Sequence, residues 1–129
     1  MKIRYALALA TVTFGLGAIA VQTLHAQSRP PVYLVGEVEV SNAEAYSKQY
    51  SPKVRDSVKA AGGRVIALGA APKTLTTLEG TPAKRVFIQV WDSREQLQAW
   101  FDGDDYKAAR EIGDKYATFR HFVVEGVPQ

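Results

Sequence analysis

KRVFIQVWDSREQLQAWF, residues 84–101, is the stretch on which the fold turns. Its first half, Lys84 to Trp91, is β-branched and aromatic with a period of two. Val86, Ile88 and Val90 alternate with Arg85, Phe87, Gln89 and Trp91, the pattern of a strand. The second half changes period. Ser93-Arg94-Glu95-Gln96 has the spacing of a capping box, in which the hydroxyl accepts from an early helix N–H and the Gln reaches back. Leu97, Trp100 and Phe101 then recur at i, i+3 and i+4, a helical stripe. A strong strand therefore runs directly into a capped helix.

Working outward gives the rest. Upstream, RVIALGA (64–70) predicts another strand, joined by a long hairpin connection from Ala71 to Ala83 that holds Pro72, Gly80 and Pro82. Gly62-Gly63 closes a helix, because the residue beyond a helix end often needs positive φ. That helix begins after Ser41-Asn42-Ala43-Glu44, whose Ser-x-x-Glu spacing is again a capping box. It carries Tyr46, Tyr50, Val54, Val58 and Ala61 near one face. Pro52 interrupts it and predicts a kink or fresh start, with Ser51 as cap and Pro52 in the first turn. YLVGEVEV (33–40) is the first strand. Downstream, Asp102-Gly103-Asp104-Asp105 breaks and restarts the second helix, and a last strand is expected over 118–125. The order β-α-β-β-α-β is the ferredoxin-like split unit: an α+β fold with a four-stranded antiparallel sheet and both helices on one face.

The first 26 residues read differently. Lys2 and Arg4 precede an apolar run from Tyr5 to Val21, and Leu24-His25-Ala26 stands before Gln27. A basic head, an apolar middle and a small residue at the cut make a secretory signal peptide, residues 1–26. The expected location is periplasmic or secreted; the alternative is an N-terminal membrane anchor. Residues 27–31 then form a short linker containing Pro30-Pro31, and residues 32–127 the single folded domain. Removing 26 of the 129 residues leaves 103, with 14 basic and 13 acidic side chains and one histidine, His121. A net charge of +1 gives no electrostatic footprint for nucleic acid, and after cleavage nothing calls for a membrane. With no cysteine, packing alone must hold the fold.

Both faces of the sheet carry large apolar residues, although a monomer with two helices on one side would leave the other face polar. The helix-free face is read as Tyr33, Val35, Glu37 and Glu39 on the first strand with Phe87, Gln89 and Trp91 on the third. Such a face marks an interface, and the simplest cover is a second copy about a two-fold axis. Two sheets facing each other make a barrel, with a lumen for a small apolar or aromatic ligand.

On that reading the candidate catalytic groups are Glu37, as base or polar anchor, and His121, as proton shuttle. Gln89, Phe87, Trp91 and Arg64 are candidates for contacting substrate. Each has a plainer reading. His121 fits a half-buried histidine bonded to a neighbour, and which of Arg120 and His121 faces the lumen is open. Glu37 fits a rim charge paired with Arg64 or Arg85. Trp100, Tyr46 and Tyr50 fit helix-to-sheet packing. One histidine and no cysteine give no zinc site. The Asp102–Asp105 stretch lacks the spacing of a calcium loop, Gly62-Gly63 precedes a strand rather than a helix as a phosphate loop would, and no nucleophile elbow occurs. No metal and no cofactor is expected.

VEVSNAEAYSKQY (38–50), AAGGR (60–64), LEG (78–80), KRVFIQVWDS (84–93), QAWFDGDDYKAAR (98–110) and FVVEG (122–126) together resemble the family named domain of unknown function 1330. Trp91-Asp92-Ser93 stands where that family usually has Phe-Pro-Ser. The resemblance implies a dimeric α/β barrel, a group that also holds cofactor-free monooxygenases, lactone isomerases and haem-degrading enzymes. The expected function is a homodimeric small-molecule-binding protein or cofactor-independent enzyme. The alternative is a non-catalytic dimeric binding or stress module with a filled barrel, and haem ligation by His121 comes third.

Overall fold

The computed structural model describes residues 29–129. The expected signal segment, residues 1–26, lies outside the described residues. Strand β1 spans Val32–Val40. A short helix α1, Ala43–Ala45, passes through a π-helical turn, Tyr46–Tyr50, into α2, Ser51–Ala60. Strands β2, Arg64–Ala70, and β3, Arg85–Trp91, follow. Helices α3, Arg94–Phe101, and α4, Asp104–Gly113, lead into β4, Ala117–Glu125. The strands lie in the order β2-β3-β1-β4, every neighbour antiparallel. This is the ferredoxin-like α+β fold. No helix among the described residues is long and apolar enough to cross a membrane.

The local signals act as physical chemistry requires, with shifts of partner. Ser93 caps α3, its Oγ accepting from Gln96 N at 3.1 Å. The Gln96 side chain accepts from Asp92 N at 3.1 Å and donates to Ala61 O at 3.0 Å, so one residue closes α3 and ties it to the end of α2. At the first helix the cap is Asn42, not Ser41: Asn42 Oδ1 accepts from Ala45 N at 3.1 Å, while Ser41 donates across to Tyr116 O at 3.0 Å. Ser51 does not restart the helix either. Its backbone is helical (φ −54°, ψ −43°) and its N–H donates to Tyr46 O, five residues back. A proline ring clashes with the carbonyl four residues before it. Widening the preceding turn to a π-helix lets the chain pass Pro52 without breaking.

The core lies between the sheet and the helices. Val32, Leu34, Val58, Trp91, Leu97, Trp100 and Tyr106 form one buried cluster. The sheet register corrects the expected faces of β3 and β4. Val32, Leu34, Gly36 and Val38 of β1 point to the helices, and their partners across the ladder are Trp91, Gln89, Phe87 and Arg85. On the other side Gly36 faces His121 and Val38 faces Phe119. Phe87, Gln89, Trp91 and His121 therefore lie under the helices, on the side opposite Glu37. The helix-free face carries Tyr33, Val35 and Glu37 from β1, Val86, Ile88 and Val90 from β3, and Arg120, Phe122 and Val124 from β4.

The reason is volume. On β3 the sheet-to-helix layer takes the rings Phe87 and Trp91, and the bare face takes the β-branched Val86, Ile88 and Val90. Gly36 and Gly63 make the room. A Cβ on Gly36 would stand 2.2 Å from the Phe87 ring, and one on Gly63 would stand 2.6 Å from Trp91. A bulge between Val65 and Ala67 shifts the register of β2, which puts Val65 and Leu68 on the helix side together.

Candidate functional site

A cavity of about 360 Å³ opens inside the single chain, between the helix side of the sheet and the first helical arm. Val38, Phe87 and Gln89 form its floor. Tyr46, Tyr50 and Val54 form one wall, Trp100 and Tyr106 the far end, and Val65, Leu68 and Thr74 the rim. Its volume is at the lower end of ordinary ligand pockets, about 300–1,000 Å³.

The π-helical turn supplies the wall. Tyr46 and Tyr50 bracket it, with ring centroids 5.1 Å apart. Such turns are frequent at functional sites; here Pro52 is its evident cause. Tyr50 is 3% exposed and lies directly on Gly113, where a Cβ would come within 2.7 Å of its ring. Tyr106 stacks on Trp100 at 4.2 Å and accepts a hydrogen bond from Arg110 Nη1 at 3.0 Å. Trp100 donates through Nε1 to Ser57 Oγ at 3.0 Å, and Ser57 donates onward to Val54 O at 2.8 Å. These bonds fix the rings rather than leaving them free to fill the space.

Burial pushes the phenols of Tyr46, Tyr50 and Tyr106 upward. Arg85 beside Tyr46 and Arg110 beside Tyr106 oppose the shift without reversing it. All three rings are therefore neutral hydroxyls at ordinary pH, able to donate or accept one hydrogen bond each. Gln89 is 4% exposed, and its Oε1 accepts from the Trp91 indole at 3.1 Å.

Of the residues expected in a site, Gln89 and Phe87 line this cavity, and Trp91 stands behind it as the anchor of Gln89. His121 does not line it. It is half-buried among Phe87, Phe101 and Phe119, at centroid distances of 5.6, 5.8 and 5.9 Å, and its Nε2 is buried without a partner. Burial, with Arg110 nearby, lowers its pKa to about 4, so it is neutral above that pH. Glu37 lies on the other face of the sheet, ion-paired with Arg120 Nη1 at 3.1 Å directly across the ladder. Its partner is Arg120 and not Arg64 or Arg85. Arg64 is exposed at the start of β2, on the Val90 side of the sheet. Tyr46 and Tyr50 were read as packing and Tyr106 was not singled out; the signal that could have raised the first two is Pro52, whose turn sets them side by side.

The model of the family Domain of unknown function (DUF1330) matches residues 31–127, and the chain belongs to that family. No protein among the curated ones matches it. Solved structures share its fold. A protein of unknown function from Rhodopseudomonas palustris is 16% identical with a TM-score of 0.62, covering 90% of this chain and 97% of that one. SnoaB, a cofactor-independent oxygenase from Streptomyces nogalater, is 12% identical with a TM-score of 0.56, covering 78% and 96%. A dimeric protein of unknown function from Bacteroides fragilis, described as ferredoxin-like, is 11% identical with a TM-score of 0.51, covering 77% and 99%.

Proposed function

We propose that this protein binds a small planar apolar or aromatic molecule, one per subunit, in the cavity between its sheet and its helices. One observation carries the reading: a 360 Å³ space walled by three neutral tyrosines, Phe87 and Trp100, with a fixed amide, Gln89, in its floor. Apolar walls with a few placed polar groups are what a small-molecule site needs. The described residues that line the cavity include no histidine, carboxylate or lysine, so they offer no general acid or base that titrates near neutrality. That favours binding over catalysis. The second reading, cofactor-independent chemistry in the same cavity, draws on the shared fold of the Streptomyces oxygenase.

The same proposal includes a homodimer. Tyr33, Val35, Val86, Ile88, Phe122 and Val124 lie on the helix-free face, with Phe122 44% and Val124 50% exposed. Completing the burial of these partly covered groups is worth on the order of 5–10 kcal/mol, which competes with an association cost of about 4–15 kcal/mol. A fold neighbour is described as dimeric. We also take the chain to act outside the cytoplasm after loss of residues 1–26, on the signal-like sequence alone.

The test is mass spectrometry of the protein purified from its own compartment, paired with titration of a neutral two-ring probe, 2-naphthol. Ala70 is half-buried at the cavity wall, and Ala70→Phe is expected to fill the space. Binding of 2-naphthol that quenches Trp100 and disappears in Ala70→Phe supports the reading. Binding that survives the plug, or none at all with no co-purified molecule, refutes it.

A further inference from the structure

The polar groups of the cavity are unbalanced, and the imbalance identifies the ligand more narrowly. The charged residues lining it are Arg55 and Arg85, with no carboxylate among them. Arg85 is half-buried on the helix side of β3, across the ladder from Val38, and its guanidinium lies 5.5 Å from the Tyr46 ring centroid. The ion pairs among the described residues engage Arg110 with Asp114 and Arg120 with Glu37, but not Arg55 or Arg85.

Gln89 adds a second, independent sign. An indole N–H can only donate, so the Trp91 bond fixes the Gln89 oxygen toward Trp91 and turns the amide NH₂ away from it. The hydrogen bonds of the described residues give that NH₂ no acceptor, although Gln89 is 4% exposed and lines the cavity. The buried unpartnered side-chain atom among the described residues is His121 Nε2 and not this one, so the Gln89 NH₂ keeps contact with the open space of the cavity and is free to donate there. Guanidinium, amide NH₂ and phenol O–H groups thus surround a space to which the protein brings few free acceptors. An arginine fork meets a carboxylate through two parallel bonds, and the flat aromatic walls suit a ring system.

We infer that the ligand is a planar aromatic anion, a carboxylate or its equivalent, held by the Arg85 guanidinium and the Gln89 amide with Arg55 at the mouth. This rests on the proposed cavity site and specifies its ligand class.

The experiment compares 2-naphthoate with 2-naphthol, which have similar rings and differ in charge near neutral pH. Calorimetry and quenching of Trp100 would measure both against the folded protein and the Ala70→Phe plug. The expected result is tighter binding of 2-naphthoate. Arg85→Gln should weaken it by about tenfold to a hundredfold, the range of a charged hydrogen bond, while changing 2-naphthol less than about twofold by the same reasoning. Arg85→Lys should restore part of the preference. Arg55→Glu, at an exposed position, should weaken 2-naphthoate severalfold and serves as a second variant with little effect on folding. Equal binding of both probes, unchanged by Arg85→Gln and Arg55→Glu, overturns the anion assignment and leaves the cavity reading standing. Binding of neither probe overturns both.

Discussion

His121 provides a direct test of the packing described above. It sits among Phe87, Phe101 and Phe119 with Nε2 unpartnered, and burial, then Arg110, lowers its pKa from 6.5 to about 4. Between those two values the unfolded chain takes up a proton that the folded chain refuses. Folding is then opposed by protonation, so the stability is fully present above pH 6.5 and is lost as the pH falls through about 4. A span of 2.5 units (6.5 minus about 4) at about 1.36 kcal/mol per unit sets a ceiling of about 3 kcal/mol, and solvent reaching this half-buried ring reduces it to about 1–2 kcal/mol. Most of that is lost by about pH 4.5. His121→Phe keeps an aromatic ring in the cluster and removes the titration. Urea unfolding at about pH 7 and about pH 4.5, followed by fluorescence of the buried Trp91 and Trp100 at one fixed protein concentration, gives the comparison. Wild type should lose about 1–2 kcal/mol more than the variant on acidification; carboxylates common to both proteins cancel in the difference. His121→Leu repeats the measurement if the larger ring is poorly accommodated. Equal losses in wild type and both variants would refute the claim that burial holds His121 neutral.

Two further outcomes are expected. Gly113→Ala brings a Cβ within 2.7 Å of the Tyr50 ring, so it should cost about 1–3 kcal/mol by overpacking and push Tyr50 into the cavity; weaker 2-naphthol binding with a lowered melting temperature checks both. Phe122→Asp places a charge on the helix-free face and should leave a monomer in sedimentation at micromolar concentration where wild type forms the proposed homodimer, while 2-naphthol still binds; loss of binding on dissociation would return the site to the interface.

The element order was legible because strands and helices announce themselves through period and caps. RVIALGA gives β2 with its observed limits, and Ser93 and the Asp102–Asp105 break fall where the chain uses them. What single-strand alternation could not supply was the phase of β3 and β4. Both sides of each strand are apolar, so period two alone is symmetric. The answer lay across the ladder. Gly36 falls in phase with Leu34 and Val38 on β1, leaving a hollow on the helix side, and only a large ring opposite it, Phe87, fills that hollow. The same pairing carries Gln89 and Trp91 inward and, through β4, His121. The apolar character of the bare face survives with a different membership, since Ile88, Val86 and Phe122 replace Phe87 and Trp91. The bulge at Val65/Ala67 was likewise invisible in a strand that otherwise alternates.

Moving Phe87 and Gln89 to the helix side changes what the association of two copies can do. A lumen between two sheets exists only in the dimer, so its affinity for ligand would be tied to the dimerisation equilibrium. A cavity between one sheet and its own helices is complete in each chain, and its rings are set by intrachain bonds: Trp91 to Gln89, Trp100 to Ser57, Arg110 to Tyr106. Covering the far face can influence the site only through the sheet itself, by stiffening β1 and β3, whose side chains alternate between the two surfaces. Val86 and Ile88 flank Phe87, and Ile88 and Val90 flank Gln89. Association would therefore act on how firmly the cavity floor is held, and ligand affinity in a monomeric variant should fall modestly rather than vanish.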